Sequence, residues 1–416
     1  MPVRPTTRIE DPSAPSQVPP QPSRFALFNS AFRPLFFLAG VFGVLSVPLW
    51  VGLYGGAVDL NLAVPMAVWH GHEMLYGYTL AAIGGFFLTV VPNWTRAKAQ
   101  KGPALMVLSG VWVLGRIAVW AQGGLPYTVV FVADMAFVVM FSGLVLRPLL
   151  DPQYRRQMVF VPILATLVIG NAMSHMGGLG WGDLGGGGVD WATQGLTLGL
   201  DGIVVLITVM GGRVTPSFTS SYLGHANPAI KVRQSAKLDR LVLNATWALL
   251  VFDQILPGRS VTGALALIVA ILHGVRLAGW LGWRTWRNPI LCVLHVGYAW
   301  LVVGLALRGL GDFGLLAPQN ALHALTIGAI GTYTMGIMTR ASLGHTGRVV
   351  KAAPVIVAAY VLISVAALSR LLVAPLPEYA AVLVMASGVA WTLAFTAFFV
   401  VYAPILMRPR PDGRPG

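Results

Sequence analysis

The sequence predicts an all-α polytopic membrane protein of about twelve transmembrane helices, and three observations predict it. Hydrophobic residues make up 56% of the 416-residue chain and charged residues 10%, whereas soluble domains carry about 25% charged residues. Apolar stretches of about twenty residues, long enough to cross a bilayer as a helix, recur along nearly the whole chain. In lipid only helices and closed barrels satisfy every backbone polar group, and the alternating pattern of barrel strands does not appear. Short, regular connectors argue for one membrane domain over residues 28–403, with disordered cytoplasmic tails at 1–27 and 404–416. The first 24 residues are Pro-rich, carry Arg4 and Arg8 and lack an apolar core, so they do not read as a cleavable signal.

Each span is justified by the basic connector to which the chain returns. Residues 35–54 follow the Arg-bearing tail, and 66–91 lead back to Arg96, Lys98 and Lys101. The pair 103–121 and 127–149 returns to Arg147, Arg155 and Arg156, and the pair 158–176 and 193–212 to Arg213, Lys231, Arg233, Lys237 and Arg240. Spans 238–256 and 261–281 return to Arg276, Arg284 and Arg287; 289–308 and 318–339 to Arg340, Arg348 and Lys351; 353–373 and 379–403 to Arg408, Arg410 and Arg414. Twenty-four of the 28 Lys and Arg residues thus fall on the side that holds both termini. By the positive-inside rule that side is cytoplasmic, and a bacterial inner membrane is the expected location. A missed or surplus span would have scrambled the alternation.

The same placement disposes of nucleic acid as a partner. The net charge of +14 lies between apolar spans rather than as a stripe on a polar face, so the bilayer is the partner it implies. Cys292 is the single cysteine and lies in an apolar span, which excludes a disulfide framework, a zinc ribbon and covalent CxxCH haem attachment. Histidine is then the principal metal-ligating residue available. The Gly-rich segment 176–190, with Asp183 and Asp190, reads as a linker between spans five and six.

Ionisable residues inside a membrane are costly and are default candidates for function. His70, His72 and Glu73 of span two, Arg116 of span three, Asp134 of span four, His175 of span five, Asp201 of span six and His323 of span ten share the outer level. They are expected to gather around one cavity or cofactor, with Arg116 pairing to Asp134 or Glu73 as the structural alternative. His273 of span eight and His295 of span nine lie toward the cytoplasm. WHGHEMLYGY is not the HExxH zinc motif, because Tyr76 stands four residues after His72. His70 and His72 are two residues apart, about 200° around a helix, so they serve partners on opposite sides.

A weak internal repeat links three spans of the same direction. HEMLYG from His72, TLGLDG from Thr197 and HALTIG from His323 each place glycine five residues on, at Gly77, Gly202 and Gly328. The period is close to four helices, repeated three times. Three arcs of four helices resemble the catalytic subunit of haem-copper oxidases, in which histidines on the second and tenth helices clamp a haem. That family takes copper ligands from the sixth and seventh helices, where this chain offers Asp201 but no histidine.

FRPLFFLAG from Phe32, WHGHEMLYGY, VVPNWT, GGRVTPSFT from Gly211 and MTRASLGHTGR from Met338 together resemble the NnrS family, in order and over residues 28–403. The resemblance implies a twelve-helix bacterial membrane protein containing haem and copper and associated with the response to nitric oxide and nitrosative stress. His70, His72 and Glu73 belong to its clearest motif, and Arg213, Pro216, Arg340 and His345 to its cytoplasmic ones. On this reading His72 and His323 are the expected axial ligands of a non-covalent b-type haem, and His70 and His175 the first candidates for copper. Nitric oxide is the expected ligand, and a quinol or a cytochrome the expected electron donor. A proton-coupled transporter using Asp201, Asp134 and the histidines, and a non-catalytic sensor or assembly factor, are the competing functions.

Overall fold

A computed structural model describes residues 25–181 and 190–414. Among them the chain forms twelve long helices and no strand: α1 (Phe32–Tyr54), α2 (Met66–Thr95), α3 (Pro103–Trp120), α4 (Tyr127–Leu149), α5 (Phe160–Ser174) and α6 (Trp191–Ala226), then α7 (Ala236–Ile255), α8 (Ser260–Ala278), α9 (Pro289–Asp312), α10 (Pro318–His345), α11 (Pro354–Leu371) and α12 (Ala380–Met407). Each expected span is a helix. Ten are long and apolar enough to cross a membrane; α5 is apolar but has 15 residues, and α7 carries Lys237, Asp239, Arg240 and Asp253. Proline occupies the first position of α3, α9, α10 and α11, where its missing N–H breaks no helical bond. Asp190 and Ser235 cap α6 and α7 through backbone N–H groups of Thr193 and Leu238.

Three helices form the inner layer. α2, α6 and α10 bury 78%, 78% and 67% of their most apolar stretch inside the bundle, whereas no other spanning helix exceeds 61%. They are the helices that carry the weak repeat. α1 packs on α12 and closes the ring, and α5 on α6, α8 on α9 and α11 on α12 are further close pairs. Glycine permits the tightest of these: a Cβ on Gly195 of α6 would stand 2.5 Å from the Gly170 carbonyl of α5, a small-residue approach typical of membrane helices. An apolar cavity of about 70 Å³ lies between the inner helices, lined by residues such as Ile83, Ile207, Met210, Ile330 and Tyr333.

Directly after His72 and His323, α2 and α10 unwind into π turns, Glu73–Thr79 and Ala324–Gly331; α6 has none. The π turn adds a residue to the helical repeat and is frequent at functional sites.

The two ends of the described chain meet on one face. Ala26 N–H donates to Met407 O (2.7 Å), and buried Arg33 donates to the carbonyls of Ile405, Leu406 and Arg408 (3.3, 2.8 and 2.8 Å). The arginine of the FRP motif therefore satisfies carbonyls that a helix C-terminus leaves unpaired. Arg410 donates to His345 O (2.8 Å) at the end of α10. Of the expected tails, residues 1–24 and 415–416 lie outside the described residues, as does Asp183, whereas 25–27 and 404–414 have these defined contacts. α6 runs past the expected span to Ala226, so His225 lies in its last turn rather than in a connector, and His345 likewise ends α10. The polar stretch GGRVTPSFTSSYLGHA is helical beyond the apolar segment because Arg213 stacks on Phe160 and Arg340 on Phe218, which anchors it to its neighbours.

Candidate functional site

The level expected from sequence to be the outer one carries a dense buried cluster where α2, α3, α4 and α5 meet. His72 ends the regular part of α2 and Glu73 begins its π turn. A Cβ on Gly77 would stand 3.0 Å from Arg116 Nη1, so glycine one turn further on makes room for the guanidinium. Arg116 of α3 pairs with both Glu73 and Asp134, and Trp120 Nε1 donates to the second oxygen of Glu73. Asp134 Oδ2 receives Asn171 Nδ2 at 2.8 Å, His175 Nε2 at 3.0 Å and His72 Nε2 at 3.2 Å. His72, Glu73, Asp134 and His175 are all at most 4% exposed. The ligand atoms of His72, Asp134 and His175 lie within 4.8 Å of one another, so these three could hold one metal ion.

The partners fix the hydrogens. Tyr127 Oη meets His175 Nδ1 at 3.2 Å: without a metal the tyrosine donates and His175 Nε2–H serves Asp134, whereas a metal at Nε2 reverses the bond so that Nδ1–H donates to the tyrosine oxygen. Asn171 donates to Asp134 through its nitrogen, so its oxygen faces His72 Nε2 at 3.0 Å. On the other side of the ring, His72 Nδ1 meets Glu73 Oε1 at 3.1 Å. Both ring nitrogens of His72 therefore face acceptors only, an arrangement that takes one more proton in the network or a cation between the partners. Charge leads to the same place. Glu73 and Asp134 bring two negative charges and Arg116 one positive charge, and a dry site needs one more.

The four histidines expected as ligands sort into two other pairs. His72 and His175 have ring centroids 4.8 Å apart. His70 points to the opposite side of α2, stacks on Trp50 (4.3 Å, 14°) and makes no hydrogen bond among the described residues. Its electrostatic neighbours are His323 and Arg370. His323 donates Nδ1–H to Gln319 O (2.8 Å) and accepts from Arg370 Nη2 at Nε2 (2.9 Å). A backbone carbonyl holding Nδ1–H is how many metal-ligating imidazoles keep Nε2 free and oriented.

The remaining candidates lie elsewhere, so the single outer cavity expected from sequence divides. Asp201 of α6 sits with Arg308 of α9 (3.7 Å) and with Asp253 of α7, away from His72. His273 bonds Tyr298 O–H (2.7 Å) and Thr246 (3.1 Å), and His295 bonds Thr219 (2.8 Å), all toward the other end. Helix azimuth separates these groups, which depth alone cannot do. Sequence reasoning missed Asn171, Trp120 and Asp253. Asp253 was detectable as an acidic residue inside the seventh span; neutral Asn171 and Trp120 carry no such signal. Residues 26–410 match the family described as NnrS protein, and no curated protein matches the chain.

Proposed function

As the chain belongs to the NnrS family, we propose that it is a haem- and copper-binding protein of the bacterial inner membrane that serves the response to nitric oxide and nitrosative stress. The observation that carries the metal reading is the buried set His72, Asp134 and His175, one positive charge short of neutrality. A cuprous ion supplies that charge, and two imidazoles with one carboxylate are compatible copper donors. Asn171 and Tyr127 orient the two histidines, Arg116 holds Asp134 and Glu73, and Trp120 fixes Glu73. Protein groups of this kind tune an outer shell around a metal.

For haem the donor set that fits is His70 with His323, on facing helices. His323 has its Nδ1–H engaged, and Arg370, which meets its Nε2 in this structure, is a cation that a propionate would draw aside. The pairing differs from the one expected from sequence, because His72 belongs to the buried set with Asp134 and His175. Bound haem and copper would supply redox-active centres able to bind a diatomic ligand. The apolar cavity between α2, α6 and α10 suits passage of a small apolar molecule such as nitric oxide. A quinol or a cytochrome is the proposed electron donor, and both termini are proposed to be cytoplasmic, from the charge distribution.

The test is an optical spectrum with iron and copper analysis of protein from haem- and copper-replete cells. A Soret band that shifts with nitric oxide, with copper present, supports the reading; a colourless, metal-free protein refutes it. His323→Ala is expected to remove haem and spare copper, and His175→Ala to do the reverse. Nitric oxide consumption under turnover would mark an enzyme, stoichiometric binding a sensor, and proton-coupled uptake without metal a transporter.

A further inference from the structure

The second arc contains buried charge that the metal reading does not use. α7 is too polar to qualify as an apolar span, and its charges are ordered: Asp239, Thr246 and Asp253 recur every seven residues, which places them on one stripe of a helix, each about 10 Å from the next. Thr246 and Asp253 are buried, and Asp239 at the inner end is half exposed. α8 and α9 face that stripe with His273, Arg276, Tyr298 and Arg308.

At the outer end, Asp201 and Asp253 bring their carboxyl groups within hydrogen-bond reach of each other, with Gln254 beside them. Arg308 Nη2 stands 2.6 Å from Asp253 Oδ1 and Nη1 3.7 Å from Asp201 Oδ1. Arg308 serves one oxygen of Asp253, while Asp253 Oδ2 and Asp201 Oδ2 find no N–H or O–H donor among the described residues. Asp312 adds a third carboxyl group, with Oδ2 also buried and unpartnered. Three carboxyl groups share one arginine. Two acceptors facing each other in a dry site need a hydrogen between them.

Inward from this pair the hydrogens run in one direction. Arg276 donates to the Tyr298 oxygen (3.0 Å), so Tyr298 O–H donates to His273 Nδ1 (2.7 Å) and His273 Nε2–H donates to Thr246 Oγ1 (3.1 Å). Thr246 in turn donates to Val242 O (2.7 Å). Between Thr246 and Asp201 lies a small cavity, about 10 Å³, that both residues line together with Arg308; it is near the minimum that holds one water. Arg276 is fixed by Asp239 (2.7 Å) and by Thr208 O (2.8 Å). Being permanently charged, it orients Tyr298 and does not itself carry protons.

We propose that α6–α9 hold a proton relay in which Asp201 and Asp253 share a proton at the outer end, fed through Tyr298, His273 and Thr246. The tyrosine gives its proton to His273 Nδ1 and is left as a phenolate paired with Arg276, until a proton from water of the aqueous phase restores it. His273 releases the proton on Nε2 to Thr246, whose hydroxyl hydrogen passes through the single cavity water to the carboxyl pair. No electron moves and no bond other than O–H and N–H changes. Arg308 limits the pair to one shared proton, and the one-water cavity keeps the relay from being an open leak.

The test is infrared spectroscopy of the full-length protein in lipid nanodiscs at neutral pH. A protonated carboxyl C=O band is expected, lost in Asp201→Asn and in Asp253→Asn and retained in Asp412→Asn, whose site is exposed. Absence of the band, or its survival in both buried variants, overturns the shared proton. On transfer to D2O the band shifts, and Thr246→Val, close to isosteric, is expected to slow that shift at least tenfold, as is His273→Phe. Wild-type exchange rates in Thr246→Val overturn the inner arm. The reading is independent of bound metal, so the experiment holds whether or not haem and copper are found.

Discussion

Arg116→Met tests the electrostatics of the outer cluster most directly. The guanidinium is 6% exposed and pairs with two carboxylates, Glu73 and Asp134, that are 1% and 2% exposed. Methionine fills much of the space and removes the charge. Removing one partner of a buried ion pair costs about 3–5 kcal/mol, because the other is left uncompensated, and here two are left. Protonation of Glu73 or Asp134 caps the loss, so about 3–5 kcal/mol is expected for the whole change rather than for each pair. Glu73→Gln in the same chain should restore part of it, since the remaining charges, Asp134 and the cation at His72, then balance. The assay is a double-mutant cycle on unfolding in mixed detergent, with a coupling energy above about 1 kcal/mol expected between positions 73 and 116. If Arg116→Met costs less than about 0.5 kcal/mol, or the two changes simply add, the charge accounting of the site is wrong.

Four other outcomes follow from the contacts. Asn171→Leu removes the oxygen facing His72 and the donor to Asp134; copper affinity, measured by competition with a chelator, should fall about 10–100-fold, the usual cost of an outer-shell change. Gly195→Leu drives a side chain into the Gly170 carbonyl and should abolish folded expression, read as loss of the monodisperse peak on size exclusion. Arg33→Ala leaves three carbonyls at the end of α12 without their donor and should destabilise by about 1–3 kcal/mol, with faster proteolysis confined to the chain ends. Arg370→Gln should leave copper content intact while altering the haem spectrum, because its partner His323 is not in the copper set.

The helices were legible in the sequence because apolar length and basic alternation are one-dimensional properties. All twelve expected segments are helical, ten of them long and apolar enough to cross a membrane, and the inner position of α2, α6 and α10 follows the repeat seen around His72, Thr197 and His323. That His70 and His72 face opposite ways was also legible, from two residues of helical rotation. Which histidine each one meets was not. The rotation of α2 relative to α5 and α10 depends on packing at Gly71, Gly77 and Gly195, and a π turn has no signature in residue type. The end of α6 was missed for another reason: hydropathy reports where lipid stops, not where the helix does.

The three polar groups at the level of His72 are each built on one of the inner helices that carry the repeat. The first two are completed by the first helix of the following arc. His72 of α2 meets His175 and Asn171, carried by α5 and its C-terminal cap. Asp201 of α6 meets Arg308 of α9. His323 of α10 instead meets Arg370 of α11, in its own arc, and α1 borders this pair by bringing Trp50 against His70 and Tyr54 near Arg370. A threefold ring requires this closure, because the last arc can only border the first. Two arc boundaries thus carry a metal-type cluster and a carboxyl pair, while the third inner helix forms a histidine–arginine pair within its own arc. Since α2 contributes His72 to one boundary and His70 to another, a change that rotates the start of α2 should disturb both. Inserting one alanine after Gly71 shifts His70 relative to His72 by about 100°, and the copper and haem contents should then fall together. Loss of one alone would mean that the two boundaries are independent, and the ring would not be the unit that positions them.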